Sequence, residues 1–150
     1  MPNLCYHNTQ GMRREKNIKE RGANRLESSQ ALIKEYPWLD VGDDRYTLID
    51  LLPIGWHDLV LDLCVELRNA LPLHLVDKYK VAEAKEKYYM LRWYDYIDDF
   101  GEMPESIVDI VCKYEEQSKG ICMICGASKP KDQEFCDICM ESHNIWYMDM

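Results

Sequence analysis

Hydrophobic side chains recur along this chain at two spacings, and each spacing predicts a different kind of element. Between residues 56 and 71 they follow the i, i+3, i+4, i+7 pattern of one helical face: Trp56, Leu59, Val60, Leu63, Leu67 and Leu71. Gly55 precedes this stretch and Pro72 follows it, so a buried helix is predicted between them. Cys64 lies beside the apolar stripe, where we expect a buried, unreactive thiol.

A second amphipathic helix is predicted after Pro104, because proline fits the first turn of a helix. Its expected inner stripe is Ile107, Val108, Val111, Tyr114 and Ser118, with Cys112 beside it in the core. Gly120 is expected to end this helix.

The first third of the chain has weaker patterns. Residues 12–27 suit a helix with a thin apolar face, and Ser28 or Ser29 is expected to cap a second short helix that Pro37 ends. The stretch that follows, WLDVGDDRYT, is interpreted as a solvated loop, because its aspartates lack the spacing of a calcium-binding loop.

Residues 79–96, YKVAEAKEKYYMLRWYDY, allow two interpretations. Charged and apolar residues alternate in both halves, which is typical of two strands joined near Tyr88–Met90. The Ala, Glu, Lys and Met residues of the same stretch favour a single helix instead.

Four cysteines near the end of the chain have the spacing of a metal site. Cys122, Cys125, Cys136 and Cys139 form two CxxC pairs separated by ten residues. Four thiolates fill the tetrahedron of a structural zinc ion, whereas a catalytic zinc keeps one position open. The spacing therefore predicts structural zinc. Weaker candidate ligands are the Cys5 and His7 pair, and His143 as a substitute for one cysteine.

Composition and charge restrict the class of protein. The chain has 150 residues, 47% hydrophobic and 30% charged, and no run of about 18 apolar residues that would cross a membrane. Seven cysteines, four with metal spacing, favour a reducing compartment, and the N-terminus has no apolar signal core. Cytoplasmic location is the expectation.

Charge is distributed unevenly along the chain. The net charge is −9, but residues 1–34 carry seven basic and three acidic side chains. An acidic body repels phosphate backbones, so direct binding to nucleic acid is not expected. Three regions are predicted: a basic N-terminal arm or helix (1–34), an α+β body (35–120) and a zinc-binding C-terminal element (121–150).

Five blocks of residues 36–139 resemble a family of small, mostly uncharacterised proteins encoded by bacteriophages and prophages. The blocks are, in order, YPWL, GWHDLVLDLC, KEKYYMLRWY, YEEQSKGICMICG and CDIC. In the family the second block is similar to GW-x-DL, the third to KEKFGGLRFY, and the fourth ends in CxxCG. The Gly-Gly of the third block implies a hairpin turn, although Tyr89 and Met90 stand there in this chain. We therefore expect two strands, an α+β fold with a helical body and a zinc-ribbon-like C-terminus, and a host-cytoplasmic location.

The predicted hairpin also gathers residues that suit anion binding. Lys85 and Lys87 would share a strand face, with Arg92 on the return strand and Tyr88 and Tyr94 nearby. Cationic side chains hold phosphate and aromatic faces stack on bases. The alternative is a structural hairpin whose lysines extend into solvent.

Together these features lead to a non-enzymatic phage accessory protein that binds a host protein or a nucleotide-like small molecule. In its specific form it sequesters a nucleotide signal as a counter-defence protein, and a homo-oligomer is compatible with this role. One alternative is an acidic inhibitor that mimics nucleic acid through Asp95, Asp98, Asp99, Glu102 and Glu105. Another is a nucleotide hydrolase that uses His57 or Asp58.

Overall fold

The computed structural model describes the backbone of residues 27–148 and the side chains of residues 27–142. Helix α1 covers residues 27–35, and it is followed by α2 (His57–Ala70), α3 (Glu105–Ser118) and α4 (Asp137–Met148). Strands β1 (Tyr79–Lys87) and β2 (Met90–Ile97) form one antiparallel sheet. The expected α+β class is confirmed. Residues 12–26 of the predicted first helix, Cys5 and His7 lie outside the described residues.

The core lies between α2, α3 and the inner face of the sheet. The five buried residues of α2 belong to or adjoin the predicted stripe: Leu59, Val60, Leu63, Cys64 and Leu67. Helix α2 packs against α3, and α3 packs against β2. Cys64 is fully buried, accepts a hydrogen bond from Trp38 Nε1 at 3.4 Å, and has a thiol pKa raised by burial to about 12. The expectation of a buried thiol in the core is confirmed.

The inner stripe of α3 is narrower than predicted. Ile107, Val111, Tyr114 and Ser118 are buried, at the spacing of one helical face. Val108 is 44% exposed and the Cys112 thiol is exposed, so both were wrongly assigned to the core. Each follows a buried residue by one position, and that step rotates a side chain by about 100° around the helix.

Two predictions before α2 also need correction. Ser28 and Ser29 lie inside α1 and do not precede it; the buried Ser29 hydroxyl donates instead to the Arg45 carbonyl oxygen at 2.8 Å. The supposed solvated loop begins with Trp38 and Leu39, which are buried in a 3₁₀ turn (Pro37–Leu39). The Trp38 ring meets Tyr79 of β1 edge to face, with ring centroids 5.2 Å apart, and so ties this segment to the sheet.

The predicted hairpin is confirmed, and its turn consists of Tyr88 and Tyr89. Both residues have positive φ angles, 52° and 68°, and Lys87 pairs with Met90. A two-residue turn with both φ values positive matches the right-handed twist of the strands, but it usually contains glycine or asparagine. The Glu86 carboxylate supports this turn by accepting the Tyr89 N–H at 2.9 Å.

A bulge between Val81 and Glu83 changes the predicted alternation of β1. Because of the extra residue, Val81 faces the core and does not share a face with Glu83, Lys85 and Lys87. Among the described residues, no helix has the length and apolar character needed to cross a membrane.

Candidate functional site

The four predicted metal ligands come together in the structure. Cys122, Cys125, Cys136 and Cys139 are all buried, and their sulfur atoms lie within 4.8 Å of one another. The Cys125 and Cys136 sulfurs are 3.7 Å apart. In a tetrahedral site with metal–sulfur bonds of 2.3 Å, neighbouring sulfurs are about 3.8 Å apart. This cluster can therefore hold one metal ion.

Local backbone structure presents each CxxC pair. After the first pair the chain reverses: the Gly126 N–H donates to the Cys122 carbonyl at 2.9 Å and the Cys122 N–H to the Ala127 carbonyl at 2.7 Å. Gly126 has a φ of 81°, the left-handed conformation that suits glycine. In the second pair, Cys136 directly precedes α4 and Cys139 lies in its first turn. Each pair thus presents two sulfurs on the same side.

The thiols influence one another electrostatically. A hydrogen bond from Cys139 lowers the pKa of Cys122, and the same bond, together with burial, raises the pKa of Cys139. One thiolate is therefore stabilised by its neighbouring thiols. Such a cluster is suited to a cation that replaces the remaining protons.

Lys129 has a role that sequence reasoning missed. Lysines in loops usually extend into solvent, but the Lys129 side chain is only 7% exposed. Its ammonium donates to the carbonyl oxygens of Lys119, Pro130 and Gln133, and desolvation lowers its pKa. Lys129 thus joins the end of α3 to the loop between the cysteine pairs.

The metal-binding element rests on the start of α2. The Gly55 N–H donates to the Met123 carbonyl at 2.7 Å, and Trp56 Nε1 donates to the Ile121 carbonyl at 3.1 Å. A Cβ on Gly55 would lie 1.9 Å from the Cys122 carbonyl oxygen. The Gly-Trp pair was noted only as the start of a helix, and its second role had no signal in the local sequence.

The candidate ligand residues also come together, on the outward face of the sheet. Lys85 lies directly opposite Arg92, and Lys87 lies opposite Met90. Tyr94 is on the same face of β2 as Arg92, two residues along, and Tyr88 is 83% exposed at the turn. We call Lys85, Lys87, Arg92 and Tyr94 the cationic face.

The cations of this face are partly engaged by neighbouring groups. Lys85 Nζ and the Arg92 guanidinium each lie 5.8 Å from the centre of the Tyr94 ring. Lys85 pairs with Glu83 at 3.3 Å, and Arg92 Nε lies 3.8 Å from Glu115 Oε2. That Arg92 Nε atom has no hydrogen-bond partner among the described residues.

The residues expected for the two alternative functions, an acidic inhibitor and a nucleotide hydrolase, do not come together as the cationic face does. Asp95 faces inward, where it accepts a hydrogen bond from the Tyr79 hydroxyl at 2.7 Å, so it does not join a surface acidic patch. The other four acidic residues of that group are exposed: Asp98, Asp99, Glu102 and Glu105. The His57 ring nitrogen Nε2 contacts the Leu52 carbonyl at 2.9 Å, and Asp58 is exposed. The side chain of His143 is outside the described residues.

Comparison of the chain with protein-family models, with curated proteins and with solved structures finds no significant match. What the chain does must therefore be argued from the cysteine cluster and the cationic face.

Proposed function

We propose that this protein is a non-enzymatic binding protein whose cationic face holds a nucleotide-like anion, while a zinc ion stabilises its C-terminal element. The observation that carries the proposal is the position of two cations directly opposite each other on one sheet face. Lys85 and Arg92 occupy a cross-strand pair, with Lys87 two residues from Lys85. Like charges in such a pair repel, and a bound anion would remove that cost.

Zinc is the metal that best fits the cysteine cluster. Thiolates are soft ligands, and a tetrahedral set of four selects zinc or iron over magnesium and calcium. Four protein ligands leave no position for substrate, so the ion's role is structural. Its contribution is to hold the segment of residues 121–139 against α2.

Two features support a phosphate-bearing ligand with an aromatic ring. The Arg92 side chain is 40% exposed, so the end of its guanidinium can donate hydrogen bonds to an anion at the surface. The Tyr94 ring is 38% exposed and Tyr88 is 83% exposed, and both offer faces on which a base can stack. Binding requires the ligand to displace Glu83 from Lys85, which limits affinity.

The resemblance to phage proteins suggests where this activity would operate. A phage-encoded protein that binds a nucleotide signal in the host cytoplasm would lower its free concentration without any turnover. Such sequestration needs only abundance and affinity, because no chemical step is involved.

The proposal is tested by titrating the metal-loaded protein with a panel of cyclic and ADP-ribose nucleotides in a calorimeter. We expect micromolar affinity for at least one of them. Arg92→Ala should weaken that binding at least tenfold, because a charge-assisted hydrogen bond contributes about 1.5–3 kcal/mol. Lys34→Ala is the matched control, since it removes one exposed cation from α1 and leaves the hairpin unchanged.

Native mass spectrometry of protein purified from phage-infected cells should show one zinc per chain and a retained nucleotide-sized mass. Absence of binding across the panel would refute the nucleotide proposal. Equal losses in Arg92→Ala and Lys34→Ala would mean that net charge, not the cationic face, determines binding. Metal analysis that finds iron in place of zinc would correct the metal assignment alone.

A further inference from the structure

The two edges of the small sheet differ in the hydrogen-bond partners of their outward backbone N–H groups. On the outer side of β2, the Leu91 N–H donates to Ser118 Oγ at 2.7 Å and the Trp93 N–H donates to Glu115 Oε2 at 2.8 Å. Side chains of α3 thus close this edge. An edge closed in this way cannot accept another strand.

The outer edge of β1 is open. In an antiparallel ladder, directly opposed residues alternate between pairs that exchange hydrogen bonds and pairs that direct these groups away from each other. Leu91 and Trp93 direct their N–H groups to α3, so their partners Glu86 and Ala84 must direct theirs outward from β1. In the described part of the chain no strand lies beside β1 on that side.

We propose that this open edge of β1 binds an extended acidic peptide of a partner protein as a third strand. The bulge between Val81 and Glu83 confines regular pairing to residues 83–87. Within that segment, the N–H and C=O groups of Ala84 and Glu86 offer up to four backbone hydrogen bonds. Main-chain bonds of this kind are the basis of strand addition in peptide recognition.

Charge determines the kind of peptide that fits. Side chains of directly opposed residues on neighbouring strands lie about 4.5–5.5 Å apart, so outward residues of the peptide would meet Glu83, Lys85 and Lys87, and acidic residues suit the two lysine positions. Arg92 adds a further positive charge one strand away. Acidic residues at alternate positions of the peptide would therefore pair with this face.

The inner side of the same edge favours small or apolar residues. Ala84 is partly buried against the hydrophobic core, and its side chain points away from the cationic face. Peptide residues opposite Ala84 and Glu86 would extend that apolar surface. The predicted recognition pattern therefore alternates acidic and apolar residues.

A second copy of this chain fits the edge less well. Antiparallel pairing of two β1 strands about Lys85 would bring Glu83 opposite Lys87 of the second copy. It would also place the two Lys85 side chains directly opposite each other and join two cationic faces. The Glu83–Lys87 pairs attract, but the two Lys85 side chains repel each other; a peptide with an acidic residue opposite Lys85 replaces that repulsive pair with an attractive one, so it is the better occupant.

This inference concerns the edge of the sheet and does not depend on the nucleotide-like ligand. The probe is the capped peptide Val-Glu-Val-Glu-Val, whose two glutamates can lie opposite Lys85 and Lys87. It is titrated into the isotope-labelled, metal-loaded protein and followed by amide NMR. We expect the amide signals of Ala84 and Glu86 to shift and their hydrogen exchange to slow at least tenfold. A peptide that alternates lysine and valine should not bind.

Two perturbations separate strand addition from simple charge attraction. N-methylation of the valines, whose N–H groups would face β1, should abolish binding, whereas N-methylation of the glutamates should leave affinity within threefold. Ala84→Pro removes an outward N–H that makes no bond to β2 and should weaken peptide binding at least tenfold. Arg92→Ala removes only a charge one strand away, so it should weaken peptide binding less than tenfold, and failure here is distinguishable from failure of the nucleotide proposal.

Three outcomes would overturn the inference. Equal binding of both N-methylated peptides would show attraction without strand pairing. Slow exchange of Ala84 and Glu86 without peptide, in a chain that sediments as a dimer, would show that a second copy occupies the edge. The same protection in a monomer would mean that the chain's own residues cover it.

Discussion

Gly55→Ala should separate the metal-binding element from the helical body. Gly55 lies in the 3₁₀ turn (Ile54–Trp56) that leads into α2, and it is buried against the backbone of the first cysteine pair. Its backbone conformation does not require glycine, because its φ is not in the left-handed range. An added methyl group therefore acts only through steric clash and not through backbone strain.

The structure allows the size of this effect to be worked out. The alanine Cβ would lie 1.9 Å from the Cys122 carbonyl oxygen, whereas real Cβ contacts stay above 3.0 Å. The two backbones must therefore separate by more than 1 Å. That movement breaks the hydrogen bond from Gly55 to Met123 and strains the one from Trp56 to Ile121. Each lost bond that leaves a buried polar group unpaired costs about 1–3 kcal/mol, so we expect a loss of about 2–4 kcal/mol.

The assay is urea unfolding with saturating zinc, followed by fluorescence of the buried Trp38, Trp56 and Trp93. Gly120→Ala is the matched control, because Gly120 also adjoins the cysteine region but its added Cβ would meet nothing closer than 3.7 Å. The control should change the free energy of unfolding by less than about 1 kcal/mol, the propensity difference between glycine and alanine.

Zinc removal gives a second readout of the same contact. In the natural chain, a chelator should lower the stability of the body, because the metal-bound element braces α2. In Gly55→Ala the element is already displaced, so the chelator should have a smaller effect on the body. A Gly55→Ala protein as stable as the natural chain, with an undiminished response to chelator, would refute this reasoning.

Three further predictions concern the turn, a buried acid and the metal. Replacing Tyr88 with Asn and Tyr89 with Gly should raise the free energy of unfolding by about 1–2 kcal/mol in urea, because residues in the left-handed region are strained there; no gain would contradict a strained turn. Burial raises the pKa of Asp95 in the folded chain above its value of about 3.9 in the unfolded chain. The protonated carboxyl therefore stabilises the fold fully below about pH 3.9, and this stabilisation is lost as the pH rises through the pKa of the folded chain. Relative to Asp95→Asn, the natural chain should therefore lose stability from about pH 4 upward until Asp95 is fully ionised, and a difference independent of pH would contradict this assignment. Cys136→Ser should abolish stoichiometric zinc in metal analysis and lower the melting temperature, whereas the exposed Cys112→Ser should change neither; retained zinc in Cys136→Ser would argue against a four-thiolate site.

Several features of the site could be predicted because they depend on residues close together in sequence. The CxxC spacing brings two sulfurs to one side of a short turn wherever that turn lies in the fold. Alternation along β2 likewise separates Leu91 and Trp93 from Arg92 and Tyr94 without reference to any other element. The cationic face therefore followed from the pattern once two strands were assumed.

The wrong assignments concern stretches whose local pattern of apolar residues fits more than one choice of buried face. Ile107 and Val108 are adjacent and both apolar, so either could begin the inner stripe of α3. Packing against α2 and β2 selects Ile107 and turns Val108 to solvent. In β1, alternation alone gives no sign of the bulge after Val81, which arises from pairing with β2.

By itself, the sequence determined α2, α3, the four cysteines of the cluster and, once two strands were assumed, the side of the hairpin that carries charge, whereas it gave no prediction of α4. These features depend on backbone preferences and spacings within a few residues. The tertiary structure alone decided that Gly55 must admit the Cys122 carbonyl, that Lys129 is buried, and that Ser118 and Glu115 close one edge of the sheet while the other stays open. Each of these depends on contacts between segments far apart along the chain, and such contacts leave no periodic trace in the sequence.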